Sequence, residues 1–248
     1  MKESTKHIIF TITVWLIAAI LGGYCIFSII VFGFNEKENI CQGIVIDIDD
    51  KYNFINEDDI TETLKKKNLY PIGKVISHNE AHKIEQELSK MSLPKEVECY
   101  AGNNILYIDI VQRKPVYRVF SNNESYYIDD ERKIMPTSSN FTAKVPIVIG
   151  HLDKTQASEE IFDIIKYLEE DKYWNSLFKQ IYITENQEII LISKQGVGEI
   201  LLGEISEYKE KLDVLKKWYE QYPERNCDTL YSRINLKYDN LIYCTRKK

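Results

Sequence analysis

No residue from Ile8 to Phe34 carries a charge, and this run constrains the chain more than any other feature. Of its 27 residues, 21 are hydrophobic; the others are Thr11, Thr13, Gly22, Gly23, Ser28 and Gly33. A helix rises about 1.5 Å per residue, so the run reaches roughly 40 Å against a hydrocarbon core of about 30 Å. That length predicts one tilted transmembrane helix over residues 8–34. Lys2 and Lys6 precede it, while Glu36, Lys37 and Glu38 follow with no net positive charge. The positive-inside rule then makes residues 1–7 a cytoplasmic tail and puts the bulk of the chain outside the cytoplasm. A cleavable signal has an apolar core of only about 7–15 residues and a small-residue cleavage site. Here the far end reads Ile29-Ile30-Val31-Phe32. A lipoprotein signal would acylate Cys25, but bulky Tyr24 precedes it and nine almost wholly apolar residues follow.

All 70 charged side chains fall outside the run. No second long apolar run exists, which excludes a polytopic membrane protein. Apolar and aromatic residues remain plentiful elsewhere, which excludes a disordered chain. The remainder suffices for one domain or two small ones. The net charge of -6 lies wholly beyond residue 40, since the first forty residues balance. An acidic surface argues against nucleic acid and against polybasic lipid binding. Arg246-Lys247-Lys248 reads as a solvated tail.

Signs of catalysis are thin. Four cysteines, Cys41, Cys99, Cys227 and Cys244, lie beyond the run and allow three complete pairings or none. No C-x-x-C occurs. His78 and His82 share a helix face at i, i+4, as metal ligands can, but a zincin needs Glu directly after the first His, and that place is Asn79. They read as surface residues of an amphipathic helix. The stretch Asp47 to Asp58 fails as an EF-hand, with Tyr52 and Asp58 at the Gly and Glu positions. No G-x-S-x-G, P-loop or G-x-G-x-x-G is present, and Gly196-Val197-Gly198 reads as a turn. No catalytic residue, metal or cofactor is assigned. Asn123-Glu124-Ser125 and Asn140-Phe141-Thr142 match the glycosylation sequon, a pattern common by chance in an Asn-rich chain.

Beyond a polar connector at residues 35–40, Gly43 to Ile48 is β-branched and weakly alternating, as a strand should be. Asn56 caps a helix through Leu64, with Asp59 completing a capping-box-like pair. Ala81, Ile84, Leu88 and Met91 recur at spacings of three and four, predicting a helix from about Asn79 to Met91, ended by Pro94. Two strands follow, Val97 to Tyr100 and Ile105 to Val111, joined by a turn at Gly102-Asn103-Asn104. The order strand, helix, helix, strand, strand predicts a three-stranded sheet with two helices on one face. Past Pro115 the texture changes. Val116 to Phe120 and Ser125 to Asp129 flank Asn122-Asn123 as a hairpin. A helix runs from Glu159 to Leu168, then come a strand meander from Gln180 to Leu202, a helix carrying Leu212, Leu215, Trp218 and Tyr219, and two closing strands about Asp239-Asn240.

This layout resembles the bacterial cell-division family FtsQ/DivIB, and local matches carry it. Arg113-Lys114-Pro115-Val116, after the strand from Leu106, is similar to the family's E-R-x-P-V element, with Gln112 in the acidic place. Tyr127-Ile128-Asp129 and Arg132-Lys133-Ile134-Met135-Pro136 resemble its hydrophobic-Asp hairpin, with Arg132 near the usual turn Gly. Val145-Pro146-Ile147-Val148-Ile149-Gly150 resembles L-P-x-L-x-G, and Leu201-Leu202-Gly203 before Lys211-Leu212 resembles its strand-Gly-helix element. Arg233-Ile234-Asn235-Leu236-Lys237-Tyr238-Asp239-Asn240 is similar to the terminal I-D-L-R-Y-D-N/S-G, with Leu241 in place of Gly. Their order, with the N-terminal anchor, spans nearly the whole chain.

The resemblance implies a single N-terminal transmembrane helix plus an α+β ectodomain. Residues 41–114 would be a POTRA domain (β-α-α-β-β) and residues 115–248 a β domain with flanking helices and C-terminal partner-binding strands. It implies a non-enzymatic divisome scaffold in the inner (cytoplasmic) membrane at the septum, with its C-terminus periplasmic or extracytoplasmic. Partners would be FtsB and FtsL, and through them FtsW and FtsI, the machinery of septal peptidoglycan synthesis. Residue-by-residue carry-over gives Lys237, Tyr238, Asn240 and Leu241 as the partner-binding end. An edge strand there would accept a partner segment as an added strand, with Tyr238 as anchor and Lys237 meeting an acidic residue. The competing readings are a membrane-anchored POTRA protein of envelope assembly or secretion, and an anchored extracytoplasmic hydrolase, which the four histidines support poorly.

Overall fold

The computed structural model describes residues 3–33, 40–49, 51–194, 198–221, 230–238 and 241–247, with the side chains of 3–9 and 29–33 left aside. Helix α1 (Glu3–Gly33) leads the chain. Within it, Phe10–Ser28 is long and apolar enough to cross a membrane and buries nothing against the rest of the molecule. Phe10, Trp15, Ile20, Tyr24 and Phe27 are all exposed. A helix apolar on every face needs a non-aqueous surrounding.

The first folded unit comprises β1 (Gly43–Ile48), α2 (Glu57–Lys66), α3 (His78–Leu88), β2 (Pro94–Gly102) and β3 (Ile105–Gln112). Its sheet has the order β1-β3-β2, with β1 parallel and β2 antiparallel to β3. The α2 start is a full capping box: Asn56 Oδ1 accepts from Asp59 N at 2.8 Å and Asp59 Oδ2 accepts from Asn56 N at 3.0 Å. Ser77 caps α3. That helix stops at Leu88, short of the expected Met91, because the chain must turn there to enter β2. Pro94 begins the strand, a place where its missing N–H costs nothing. Asn103 and Asn104 both adopt positive φ, as do Asn122 and Asn123 in the next hairpin. Two consecutive left-handed residues match the strand twist of a tight hairpin, and Asn tolerates that conformation. Ile60, Leu64, Ala81, Ile84 and Leu88 bury against Leu106, Ile108 and Ile110.

The second unit is a nine-stranded sheet. Its elements are β4 (Pro115–Ser121), β5 (Glu124–Asp129), β6 (Ile134–Pro136), β7 (Ile147–Gly150), α4 (Lys154–Ser158), α5 (Glu160–Glu170), α6 (Lys172–Leu177), β8 (Phe178–Ile183), β9 (Ile189–Ser193), β10 (Glu199–Gly203), α7 (Tyr208–Gln221), β11 (Tyr231–Asn235) and β12 (Tyr243–Arg246). The strand order is β12-β11-β10-β9-β8-β7-β4-β5-β6. Two of these elements, α4 and α6, are too short to show a period and escape sequence reading, while β6 pairs antiparallel with β5 in the hairpin that the resemblance implies for Tyr127 to Pro136. The hairpin and meander form where the alternation predicts them. Trp174, Tyr117, Ile161, Leu191, Ile200, Leu212 and Ile234 are fully buried in one core.

The two units share an interior. Tyr127 and Met135 of the second sheet pack into the first unit's core beside Phe54. Phe54 meets the Tyr127 ring edge-on at 5.5 Å and Phe141 at 5.1 Å. Gln112, buried where the family motif is acidic, accepts from Ile55 N at 3.0 Å and donates to the carbonyls of Asp49, at 2.8 Å, and Tyr52. A carboxylate accepts only, so an amide suits this site of mixed demand. Arg132 stands near the place of the family's turn Gly and adopts φ 64. Its guanidinium bonds Asp163 at 2.6 Å and lies 4.4 Å from the Phe162 ring centroid, contacts that offset the backbone cost.

Candidate partner-binding edge

Strand β12 ends the nine-stranded sheet, and β11 is its one strand partner among the described residues. Its outer side therefore presents backbone donors and acceptors to solvent. The pairing is antiparallel, with Ile234 opposite Cys244 and Asn235 opposite Tyr243. Ile234 is buried and anchors the edge to the core beneath.

Exposed apolar side chains gather at this edge. Tyr238, Leu241 and Tyr243 are each more than half exposed, at 54%, 53% and 54%. The Tyr238 and Tyr243 rings meet edge to face, with centroids 5.5 Å apart. Tyr238 and Leu241 also form one wall of a cleft of about 310 Å³, whose other wall is α7 with Glu210, Lys211 and Val214. Glu207 and Leu236 complete the lining of the cleft.

The four residues carried over from the family motif fare differently. Tyr238 and Leu241 stand in the link between β11 and β12, joined by the hydrogen bond Leu241 N to Tyr238 O at 3.2 Å. Lys237 is already engaged: its ammonium pairs with Glu188, and that carboxylate holds its pKa above the usual lysine range. Its aliphatic stem covers Gly203, where an added Cβ would sit 3.1 Å from Lys237 Cγ. Asn240 and the Asp239-Asn240 turn lie outside the described residues, as do Gly196 and Val197 of the glycine turn. Sequence reading missed Tyr243. The available signal was an aromatic residue on each arm of the closing hairpin.

The enzyme-like candidates sit elsewhere and apart. On the exposed side of α3, His82 contacts Glu85 at 3.3 Å and Gln86 at 3.0 Å. Among the described residues no three His, Cys, Asp or Glu side chains converge as metal ligands would. Cys41 and Cys99 carry free thiols buried in the first core, while Cys227 lies outside the described residues. Asn140 of the second sequon donates to Asp59 Oδ2 at 2.7 Å.

Two family models match the chain. A POTRA-like domain matches residues 39–110. The model described as FtsQ/DivIB, C-terminal related, matches residues 114–245, more than half of the chain. Comparison with curated proteins finds no match. Both matched families are non-catalytic scaffolds. A POTRA-like unit of three strands and two helices, followed by a β-rich unit ending in an open strand, thus agrees in order with both matches, and the chain belongs to the FtsQ/DivIB C-terminal related family of cell-division proteins.

Proposed function

We propose that this protein is a non-enzymatic divisome scaffold, held in the cytoplasmic membrane by residues 8–34 with its N-terminus in the cytoplasm. It binds FtsB-like and FtsL-like division proteins at the septum and so helps control septal peptidoglycan synthesis by FtsW and FtsI. Residues 41–114 act as the POTRA domain and residues 115–248 as the partner-binding β domain.

One observation carries the reading: the open edge of β12 flanked by three exposed apolar side chains, Tyr238, Leu241 and Tyr243. A segment of the FtsB-like partner adds to β12 as a further strand. Backbone bonds supply register, and the two tyrosines supply buried area with polar tips. Asn240 joins the contact set by its place in the family motif. Lys237 pairs with Glu188 in the free chain and joins the contact set by its place in the family motif.

The test is capture of the FtsB-like partner by the full chain in membranes. Tyr238→Ala with Tyr243→Ala should weaken capture at least tenfold while leaving the chain folded, because both side chains are exposed. Unchanged capture removes β12 as the site. Depletion of the protein separates the wider readings: filaments without septa support the divisome role, and normal division with envelope or secretion defects supports the alternative POTRA role.

A further inference from the structure

The overall negative charge conceals a basic pole next to the anchor. The run Lys65-Lys66-Lys67 closes α2, and Lys74 follows in the loop that leads to α3. Between them lie Tyr70, Ile72 and Val75. Ile72 is 44% exposed and Val75 48%. Ile40, the first described residue after the anchor, is 49% exposed and bridges to Val75. The loop is clamped to that incoming segment by Cys41 N to Lys74 O and by Gly73 N to Cys41 O, both at 2.9 Å.

These contacts place the exposed β-branched side chains of Ile72 and Val75 beside Ile40, the first described residue after α1. Covalent reach places them near the bilayer. Seven residue steps separate Gly33, the end of α1, from Ile40, a span of at most roughly 25 Å. Exposed apolar side chains ringed by lysines and a tyrosine are the composition of a membrane-interface surface. Lysines at the end of α2 also complement its dipole. That role explains neither Lys74 nor the exposure of Ile72 and Val75. Lys66 and Lys67 pair with Glu62 and Glu87, at 2.8 and 3.4 Å, whereas Lys65 and Lys74 contact no carboxylate among the described residues. The Lys65 ammonium instead lies 5.2 Å from the Tyr70 ring centroid, and Lys74 Nζ donates to Asn68 O at 3.1 Å.

We propose that the loop from Asn68 to Val75, with Ile40, docks on the anionic surface of the same bilayer that holds α1. Ile40, Ile72 and Val75 enter the interface, and Lys65 and Lys74 meet phospholipid headgroups. The docking rests on α1 being the anchor. It sets the tilt of the first unit against the membrane and thereby the height at which β12 is presented.

The experiment uses the full chain in nanodiscs of phosphatidylethanolamine and phosphatidylglycerol. A fraction of the phosphatidylglycerol carries a diazirine near the glycerol end of its acyl chain, and adducts are mapped on tryptic peptides. The expected result is adducts on the peptide Asn68–Lys74 as well as on the α1 segment. Ile72→Asp with Val75→Asp should abolish the loop adducts and keep those on α1; both positions are exposed, so the fold is not at stake. Adducts on α1 alone in the native chain overturn the docking, including the case in which a protein partner covers the loop. Absence of adducts on α1 overturns the anchor itself, a separate failure. Phosphatidylcholine discs, or Lys65→Gln with Lys74→Gln, should reduce the loop adducts several-fold; an equal yield overturns the role of the lysines.

Discussion

Arg113 Nε lies 2.9 Å from Asp129 Oδ2, an ion pair at the joint between the two sheets. The Asp129 side chain is 2% exposed and that of Arg113 14%. The carboxylate also accepts from the backbone N–H groups of Glu131 and Lys133, at 3.0 and 2.7 Å. Arg113 also donates to the carbonyls of Ser92 and Ile134, one on each side of the joint. Removing one partner of a buried pair strands the other charge. Arg113→Met should therefore destabilise the fold by about 3 kcal/mol, at the lower end of such losses because two backbone donors remain to Asp129. Urea unfolding measures it, and Arg113→Met combined with Asp129→Asn should cost less than the sum of the single changes.

Gly150 has φ +130, and a Cβ there would meet the Ile183 carbonyl oxygen at 1.9 Å. The glycine lets β7 lie close against β8 where the family-like motif ends. Gly150→Ala should cost at least about 2 kcal/mol, since backbone conformation and contact both oppose it. A shift of the unfolding midpoint smaller than that of an ordinary surface change would refute the close approach.

Burial pushes the Cys99 thiol up to about 12, with the Glu85 and Asp109 charges adding to it. The thiolate is the reactive form. At pH 8 iodoacetamide should leave Cys99 unmodified in the native chain and alkylate it once denaturant is added. Peptide mass analysis reads both states, and rapid native labelling would contradict the burial of this strand.

Glu131 accepts from Lys133 at 2.7 Å and from Lys95 at 2.9 Å, and these bonds lower its pKa from 4.5 to about 2. A carboxylate lowered by folding contributes stability in full above its unfolded pKa and loses it as the pH falls. The contribution should hold above about 4.5 and fade between there and about 2. Glu131→Gln should thus narrow its stability difference from the native chain across that window. Added salt should shrink the effect, because the group is exposed to solvent.

Local features of the fold were legible because short-range physics decides them. The Asn56–Asp59 capping box, the paired Asn turns and the periodic faces of α2 and α3 depend on residues a few positions apart. The short helices α4 and α6 were not legible, since five or six residues hold less than two helical turns and take their form from the core they cover. At the candidate edge, resemblance pointed to Tyr238 and Leu241. Lys237 was legible as an exposed cation, but its pairing with Glu188, 49 residues away, was not. Tyr243 reached the site by pairing opposite Asn235, a register that the aromatic residues of the closing hairpin do not fix by themselves.

By itself, then, the sequence determined an apolar helix long enough for a bilayer, an α+β body after it, and the order of a POTRA-like and a β-rich unit. Helix length, side-chain period and turn chemistry are properties of neighbouring residues. Only the tertiary structure decided that the two units share Phe54, Tyr127 and Met135 in one interior, that β12 is left at the edge, and that Ile40, Ile72 and Val75 form one exposed patch. Those outcomes depend on which distant segments pair, and pairing is settled by the burial and hydrogen bonding of the whole chain together.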